Sequence, residues 1–163
     1  PCYLLYNILC RLQVVKLTVG CGRLKTKKIE DLKSLIGPNF ALVNPKVVCG
    51  KFHLQQAAYL SASAHEGNYN LANDKSTEVL LYLTAQRQIS KAIKIGGIDE
   101  TVESLAWVSF GEIPKKLFEL VESDESVIDI SNFDSSGFSS EIELDKLQKI
   151  VMTKTATLSV QSR

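Results

Sequence analysis

The sequence lacks the features that mark a membrane or secreted protein. It contains no apolar stretch that approaches the roughly 20 residues of a membrane-spanning helix. Its apolar beginning, residues 2–19, is interrupted by Asn7, Arg11, Gln13 and Lys16. A signal peptide instead places its positive charge before an unbroken apolar segment. We therefore expect an intracellular protein without a membrane partner.

Cysteine and histidine are scarce. The four cysteines are Cys2, Cys10, Cys21 and Cys49. They form no Cys-x-x-Cys pair, whereas zinc ligands usually come in pairs two to four residues apart. The only histidines, His53 and His65, would lie about 18 Å apart on one helix, too far to share a metal. We expect buried reduced thiols, no metal and no cofactor.

Motifs of common catalytic chemistry are also missing. The sequence has no phosphate-binding loop, no dinucleotide-binding glycine pattern, no nucleophile elbow and no His-Glu-x-x-His motif. Catalytic pairs can come from distant segments, so these absences weaken the case for an enzyme without excluding one. His53, near the start of a predicted helix, has two interpretations, a satisfied structural histidine or a ligand contact.

Charge is distributed unevenly along the chain. The net charge is only +1, but residues 1–98 hold 13 basic and 5 acidic side chains, whereas residues 99–163 hold 6 and 13. This asymmetry can give a basic face that attracts RNA, because local potential governs the approach more than net charge does. The alternative is that the two halves neutralise each other in the fold.

Hydrophobic periodicity predicts strands that are interspersed with helices. The predicted strands cover residues 3–8, 13–19, 40–43, 104–110 and 127–130. The predicted helices cover residues 28–36, 52–65, 86–95, 114–121 and 141–152, and one more that runs from a cap at Asn73 or Asp74 to residue 83. Residues 20–22 are predicted to form a turn and residues 132–140 a loop. This order implies a single α/β (α+β) domain over residues 1–163, with a mixed β-sheet packed with helices.

The helix predicted over residues 86–95 carries the strongest functional signal. Arg87, Lys91 and Lys94 share one face, and Arg87 and Gln88 are expected in the first turn, where free N–H groups favour an anion. Arginine can grip a phosphate or stack on a base, and Gln86 and Gln88 can contact base edges. This chemistry suits an unpaired RNA end. The alternative is a merely solvated helix face.

The same segment resembles the small subunit of the KEOPS complex, a family that includes the relatives of the PRPK-binding protein. The family stretch reads Gln-Arg-Gln-Ile-x-x-Ala-Ile-x-x-x-Gly. It is matched here by Gln86-Arg87-Gln88-Ile89, Ala92-Ile93 and Gly96. Further similarity lies in residues 40–43, 47–50, 53–54 and 78–83, so the resemblance spans about residues 40–100. Ala85 departs from the family, which commonly has glycine there.

The resemblance implies a non-catalytic subunit. KEOPS transfers a threonylcarbamoyl group to an adenosine of tRNA, and the chemistry belongs to another subunit. The small subunit binds a kinase-like ATPase and the single-stranded 3′ CCA end of the tRNA, and it meets the other KEOPS subunits indirectly. The resemblance also implies that the protein is cytoplasmic, and nuclear as well if it is eukaryotic.

Carried onto this chain, the resemblance assigns the RNA contacts to residues around Arg87. Arg87 would bind phosphate or stack, Gln86 and Gln88 would contact base or sugar, and Lys91 would add charge. His53 and Lys75 are included because the starts of neighbouring helices could lie beside Arg87. An apolar helix surface, which the sequence does not locate, would meet the kinase-like partner.

Two other functions remain open. One is a pure protein-interaction subunit that regulates the kinase-like partner without touching RNA. The other is a small α/β enzyme, which would have a deep pocket lined by ionisable groups.

Overall fold

The structure is a computed structural model that describes residues 16–139 and 141–161. One sheet of four strands, in the order β2-β3-β1-β4, is covered by helices. The strands are β1 (Thr18–Leu24), β2 (Phe40–Val43), β3 (Ser104–Ser109) and β4 (Val121–Ser123). The helices are α1 (Ile29–Lys33), α2 (Lys51–Glu66), α3 (Lys75–Thr84), α4 (Ile89–Gly96), α5 (Leu117–Leu120) and α6 (Leu144–Gln161). No helix in the described ranges is both long and apolar enough to cross a membrane.

The expected α/β class is confirmed, but the sheet is antiparallel rather than mixed. β1 and β2 both pair with β3 in antiparallel register, with Thr18 opposite Ser109 and Phe40 opposite the same Ser109. β4 pairs antiparallel with the end of β1. A mixed sheet would contain at least one pair of parallel neighbours. Instead, β1 and β2 lie on opposite sides of β3 and never pair with each other.

Two glycines that predict a turn at residues 20–22 lie inside β1. A Cβ on Gly20 would overlap the indole ring of Trp107, and one on Gly22 would overlap the backbone carbonyl of Glu122. Both glycines therefore allow a close approach of neighbouring groups, and the pairing of β1 with β3 runs through them. Glycine within a strand commonly has this role. The turn predicted here was wrong.

The sheet is buried on both faces, because apolar side chains of each strand alternate between two cores. One core contains Ala41, Val43 and Val108 together with residues of α2 and α3. The other contains Leu105 and Trp107 together with residues of α1 and α5. Sheets covered on both faces have near-continuous apolar strands, as β3 has here.

Several predicted elements agree closely with the structure, and other segments differ. α2, α3 and β2 begin and end within about one residue of the prediction. Residues 127–130 form 3₁₀ turns instead of a strand, because the Asp124 and Asp129 carboxylates accept bonds from the N–H groups of Ser126 and Ser131. The predicted strand at residues 3–8 lies outside the described residues.

α6 is longer than the sequence indicates and continues to Gln161. The hydroxyl groups of Thr153 and Thr157 donate to carbonyls four residues earlier, so these side chains are satisfied inside the helix. The buried face of α6 includes Val151 and Leu158. Burial of this face therefore overrides the low helix propensity of threonine.

Two of the four cysteines lie in the described part of the chain. Cys21 and Cys49 are buried and unpaired, as expected, whereas Cys2 and Cys10 lie outside the described residues. Burial raises the pKa of Cys49 to about 11, so its thiol stays protonated at neutral pH.

A buried carboxylate fixes the loop between α2 and α3. Glu78 is almost fully buried, and its oxygens accept bonds from the backbone N–H groups of Leu71, at 3.1 Å, and Ala72, at 2.6 Å. This arrangement explains why a glutamate precedes the apolar residues of α3. Hydrogen bonds to a charged acceptor are stronger than neutral ones.

Replacing Glu78 by glutamine should lower the free energy of unfolding by about 1–3 kcal/mol, because an amide of the same size accepts these bonds without charge and brings an unmatched NH₂ group into the core. Urea denaturation monitored by circular dichroism would measure the loss. The exposed Glu66 offers the matched control, and Glu66→Gln should change stability by less than about 0.5 kcal/mol. Equal stability of Glu78→Gln and the parent chain would contradict this role.

Candidate nucleic-acid interface and partner-binding face

The loop between α3 and α4 presents Arg87. Ala85 ends α3 in the left-handed conformation, with φ of 51°, and the N–H of Gln86 donates to the carbonyl of Leu81 at 3.0 Å. The alanine thus adopts the conformation that glycine would take more readily at this position. Alanine in place of the glycine that is common in the family therefore still allows an ordinary helix end.

α4 begins later than predicted, so Gln86 and Arg87 lie before the helix rather than in its first turn. Gln88 is the N-cap residue, and its side chain makes no capping hydrogen bond. The first N–H groups of α4 therefore have no side-chain cap, and the positive end of the helix dipole favours an anion there. Arg87 and Gln88 are both exposed beside this helix start.

The basic face of α4 is open to solvent. Arg87, Lys91 and Lys94 are exposed, and within the described ranges none of them forms an ion pair. Ala92 and Gly96 pack inward, and a Cβ on Gly96 would press against Thr84 and Leu80 of α3. The small residues thus set the distance between the two helices.

The four side chains predicted to lie closest to the RNA differ in their exposure and hydrogen bonding. Gln86 is half-buried, and its amide nitrogen donates to the carbonyl of Thr84 at 3.3 Å. Arg87, Gln88 and Lys91 extend into solvent. The structure therefore brings these four together around one helix start.

Lys75 lies away from this loop. It begins α3, whereas the loop follows the end of α3, and the helix rises about 14 Å between the two points. Its ammonium group lies over the ring of Phe110, 5.7 Å from the centroid. Lys75 and Arg87 are therefore not neighbours, contrary to the expectation from the sequence.

His53 lies in the core and is not at the surface. Its Nδ1 accepts a bond from the N–H of Cys49 at 3.0 Å, so Nε2 carries the proton and donates to the Thr155 hydroxyl at 3.0 Å. Thr155 in turn donates to the carbonyl of Tyr82 at 2.9 Å. Of the two interpretations of His53, the structure therefore supports the structural one, and we leave His53 and Lys75 out of the interface.

The charge asymmetry along the sequence is only partly neutralised in the fold. Among the described residues, two surface ion pairs join a cation of the first half to an acid of the second half, Arg23–Asp124 and Lys51–Glu125. A third pair, Lys116–Asp31, has the opposite arrangement, with its cation in the second half. None of them involves α4. Some cations are thus neutralised by acids of the other half, whereas those at α4 form an exposed basic face.

The structure also locates an apolar surface, which we call the α2–α6 face. Phe52 and Tyr59, seven residues apart on α2, are 68 % and 66 % exposed, and Val160 on α6 is 72 % exposed. The two helices lie side by side, since the Gln56 amide donates to the carbonyl of Met152 at 2.9 Å. Large exposed apolar side chains on adjacent helices are typical of protein-binding surfaces.

Residues 23–160 match the sequence model of a family described as kinase binding protein CGI-121. The chain belongs to this family. It is the family of the KEOPS small subunit, the PRPK-binding protein, so the resemblance seen over residues 40–100 is confirmed and extends over most of the chain. A search of the curated proteins finds no match. The description of the family indicates a kinase as the partner of this chain.

Sequence reasoning found Arg87 and its neighbours but missed other cations near the loop. Lys46 and Lys154 line a cavity whose wall includes Ala85. They come from separate segments of the chain, so no spacing in the sequence relates them to Arg87. Phe52 and Tyr59 were also missed, although their spacing of seven residues places them on one helix face.

The pKa of His53 should make stability depend on pH. Burial lowers the pKa of His53 to about 4 from an ordinary value of 6.5. The unfolded chain therefore binds a proton that the folded chain does not, and stability is full above pH 6.5 and falls as the pH drops towards 4. Between pH 7.5 and pH 4.5 this group should remove roughly 2–3 kcal/mol of unfolding free energy.

Urea denaturation of the parent chain and of His53→Gln at both pH values would isolate this effect from that of the carboxylates. The variant should be less stable at pH 7.5 but should lose less on acidification. His65→Gln, a histidine of the same helix, serves as the control and should keep the full acid loss. The same loss in His53→Gln and the parent would contradict the assignment.

Proposed function

We propose that this chain is a non-catalytic KEOPS adaptor that binds the 3′ CCA end of tRNA and a kinase-like ATPase, and so supports threonylcarbamoylation of tRNA. The family supplies the kinase partner. The RNA contact rests on one observation, the exposed Arg87 guanidinium, which has no ion pair with any residue that the structure describes, beside the uncapped start of α4.

The geometry of this site favours a single-stranded end over a duplex. Free N–H groups at a helix start and a nearby guanidinium can hold one phosphate. The exposed amide of Gln88 and the half-buried amide of Gln86 offer donors and acceptors for base edges, which only unstacked bases expose. Lys91, one turn further, adds charge for a second phosphate.

Reversing the charge at Arg87 tests the RNA contact. Arg87→Glu should weaken binding of intact tRNA at least about tenfold, because a charged hydrogen bond to phosphate is replaced by repulsion. The slope of log affinity against log salt concentration should also shrink by about one. Fluorescence anisotropy at several salt concentrations would measure both.

Lys115→Glu is the control for this experiment, since Lys115 is an exposed cation near α5. Its effect on tRNA affinity should be small, and the binding of both variants to the kinase-like partner should be unchanged. An unchanged tRNA affinity of Arg87→Glu would remove Arg87 from the interface. Equal affinity for tRNA with and without its CCA end would contradict capture of the 3′ end.

We place the kinase-like partner on the α2–α6 face. Phe52 and Tyr59 are large aromatic side chains, which often dominate the energetics of interfaces. The face lies on the outside of α2 and α6, whereas the Arg87 loop follows α3, so both ligands could bind at once. This arrangement would suit an adaptor.

Phe52→Asp should weaken binding of the kinase-like partner by about thirtyfold or more, because loss of a central aromatic contact costs about 2 kcal/mol or more. Isothermal titration calorimetry would measure it. Phe118→Asp is the matched control, since Phe118 is a phenylalanine 48 % exposed on α5. If the two variants bind the partner equally well, the interface lies elsewhere.

A pure protein-interaction subunit is the second candidate function. The α2–α6 face supports it equally well, because this hypothesis also needs a kinase-binding surface. The two functions differ only at Arg87, so tRNA binding decides between them. The enzyme hypothesis is less well supported. The 520 Å³ cavity beside β1 is lined by Lys51 and Glu125, which form a solvent-exposed ion pair. It is also lined by Cys21, and burial raises the pKa of this thiol, which favours its protonated form.

A further inference from the structure

The edge of β1 that faces β4 is open over the first half of the strand. On this side, the N–H of Asp124 donates to the carbonyl of Cys21 at 3.2 Å. On the other side, the N–H of Leu24 donates to the carbonyl of Glu103 at 3.0 Å. Backbone groups of an antiparallel strand alternate between its two neighbours, so the odd-numbered residues of β1 point towards β4 and the even-numbered residues towards β3. The pairing with β4 ends at Gly22, so β1 extends beyond its shorter neighbour.

Val19 lies on this open edge. As an odd-numbered residue of β1, it directs its N–H and its carbonyl past the end of β4. Neither group has a hydrogen-bond partner in the part of the chain that the structure describes. The N–H of Cys21 points the same way and is also without a partner among these residues. Donors and acceptors in such a row are the groups that an extended peptide pairs with when it adds to a sheet edge.

The sequence of this edge carries none of the usual protection against pairing with another chain. Natural proteins blunt a free edge with proline, with charged side chains or with bulges. Residues 18–21 are Thr-Val-Gly-Cys, without a proline or a charge. They pair with β3 in unbroken register, so the edge has no bulge either. An unprotected edge of this kind favours a strand that a partner supplies.

The 520 Å³ cavity beside β1 adjoins the same edge. Val19 and Cys21 line it together with the charged residues Lys51, Glu125 and Asp129. Its volume falls within the roughly 300–1000 Å³ of ligand pockets, so a side chain of an added strand can enter it. Two carboxylates and one ammonium group give the lining a net negative charge, which favours a basic side chain.

Both carboxylates of the cavity are able to receive such a side chain. The N–H of Ser131 donates to the Asp129 carboxylate at 3.0 Å, and this bond lowers the pKa of Asp129, so the group is charged at neutral pH. Glu125 lies 3.8 Å from the Lys51 ammonium, and both side chains are largely exposed. Exposed pairs of this kind contribute little, so a cation from a partner can take the place of Lys51.

We propose that an extended segment of the kinase-like partner adds to β1 at Val19 and places a basic side chain in this cavity. The cavity is continuous with the α2–α6 face, because Phe52 belongs to that face and also lines the cavity. One partner can therefore cover both. The backbone bonds would supply affinity, and the cavity would supply specificity. The inference rests on the proposed function, since it assigns the added strand to the same partner.

Amide hydrogen exchange tests the added strand directly. It would be followed by NMR for the full chain alone and with the kinase-like subunit bound. The N–H of Val19 should exchange at least about tenfold more slowly in the complex, because a new backbone bond protects it. The N–H of Gly20 points towards β3, so it should be protected in both states and serves as the internal control. Unchanged exchange at Val19 in the saturated complex would overturn the inference.

Val19→Pro removes the outward N–H and leaves the pairing of β1 with β3 in place, since proline is tolerated on an edge whose N–H is not bonded within the sheet. Loss of this bond and the obstruction by the ring should weaken binding of the kinase-like subunit about tenfold in isothermal titration calorimetry. Val19→Ala keeps the N–H and is the matched control. Equal affinity of the two variants would contradict strand addition. If thermal denaturation shows that Val19→Pro does not fold, the exchange of the parent chain decides.

Glu125→Lys tests the basic side chain of the partner. It should weaken binding several-fold, and the loss should shrink at high salt, because the repulsion is screened there. Glu122→Lys is the matched control, since Glu122 is an exposed glutamate on β4 and does not line the cavity. If the two variants bind equally well, the inference is overturned.

The outcomes separate this inference from the proposed function. If the kinase-like subunit does not bind the chain at all, both fail. If it binds and Phe52→Asp weakens it while exchange at Val19 is unchanged, the inference fails and the partner on the α2–α6 face stands. A second copy of this chain is the other possible occupant of an open edge. Protection of Val19 that rises with the concentration of the chain alone, together with dimers in analytical ultracentrifugation, would overturn the assignment to the kinase-like partner.

Discussion

The arrangement of the three helices around the candidate interface depends on one buried chain of hydrogen bonds. It leads from the N–H of Cys49 through the imidazole of His53 and the hydroxyl of Thr155 to the carbonyl of Tyr82. These residues belong to the start of α2, the middle of α6 and the last turn of α3. Because an unpaired polar group in the core is costly, each member keeps the others in place. The neutral form of His53 is required, since Nδ1 accepts a bond from the N–H of Cys49 and can do so only without a proton.

This chain of bonds links the two proposed binding surfaces. Tyr82 lies three residues before Ala85, so the bond from Thr155 fixes the end of α3 from which the Arg87 loop emerges. The same bonds hold α6 against α2, the two helices that carry the exposed apolar residues of the α2–α6 face. Gln148 adds a second link, since its amide donates to the carbonyl of Cys49 at 3.1 Å. One buried network thus supports both of the proposed binding surfaces.

Sequence reasoning succeeded where the determinants are local. α2 lies between Gly50 and Gly67, β2 lies between Pro38 and Pro45, and α3 contains a strong periodic pattern, so the limits of all three were predicted closely. Arg87 could be singled out from the sequence because its motif is contiguous, and its role stays a prediction. The exact start of α4 was not found, since the left-handed Ala85 ends α3 and residues 86–88 connect it to a helix that begins only at Ile89.

The determinants that sequence reasoning missed are long-range. The partner of His53 is Thr155, 102 residues further along the chain, so burial of the imidazole could not be predicted from its neighbours. The glycines of β1 suggested a turn because the Trp107 ring that requires Gly20 comes from another strand. The cavity behind the loop combines Lys46, Phe138 and Lys154 from three separate segments.

Local charge placement explains how a chain of net charge +1 can present a basic site. The acidic second half neutralises cations of β1 and α2 through Asp124 and Glu125, which form surface pairs with Arg23 and Lys51. Asp99, which follows α4, is instead bonded to the backbone and hydroxyl of Thr101, and it lies past the end of the helix opposite to Arg87. The start of α4 therefore keeps its positive potential, to which the helix dipole adds. Since surface pairs contribute little stability, the fold can leave these cations unpaired at small cost, and they remain available for a ligand.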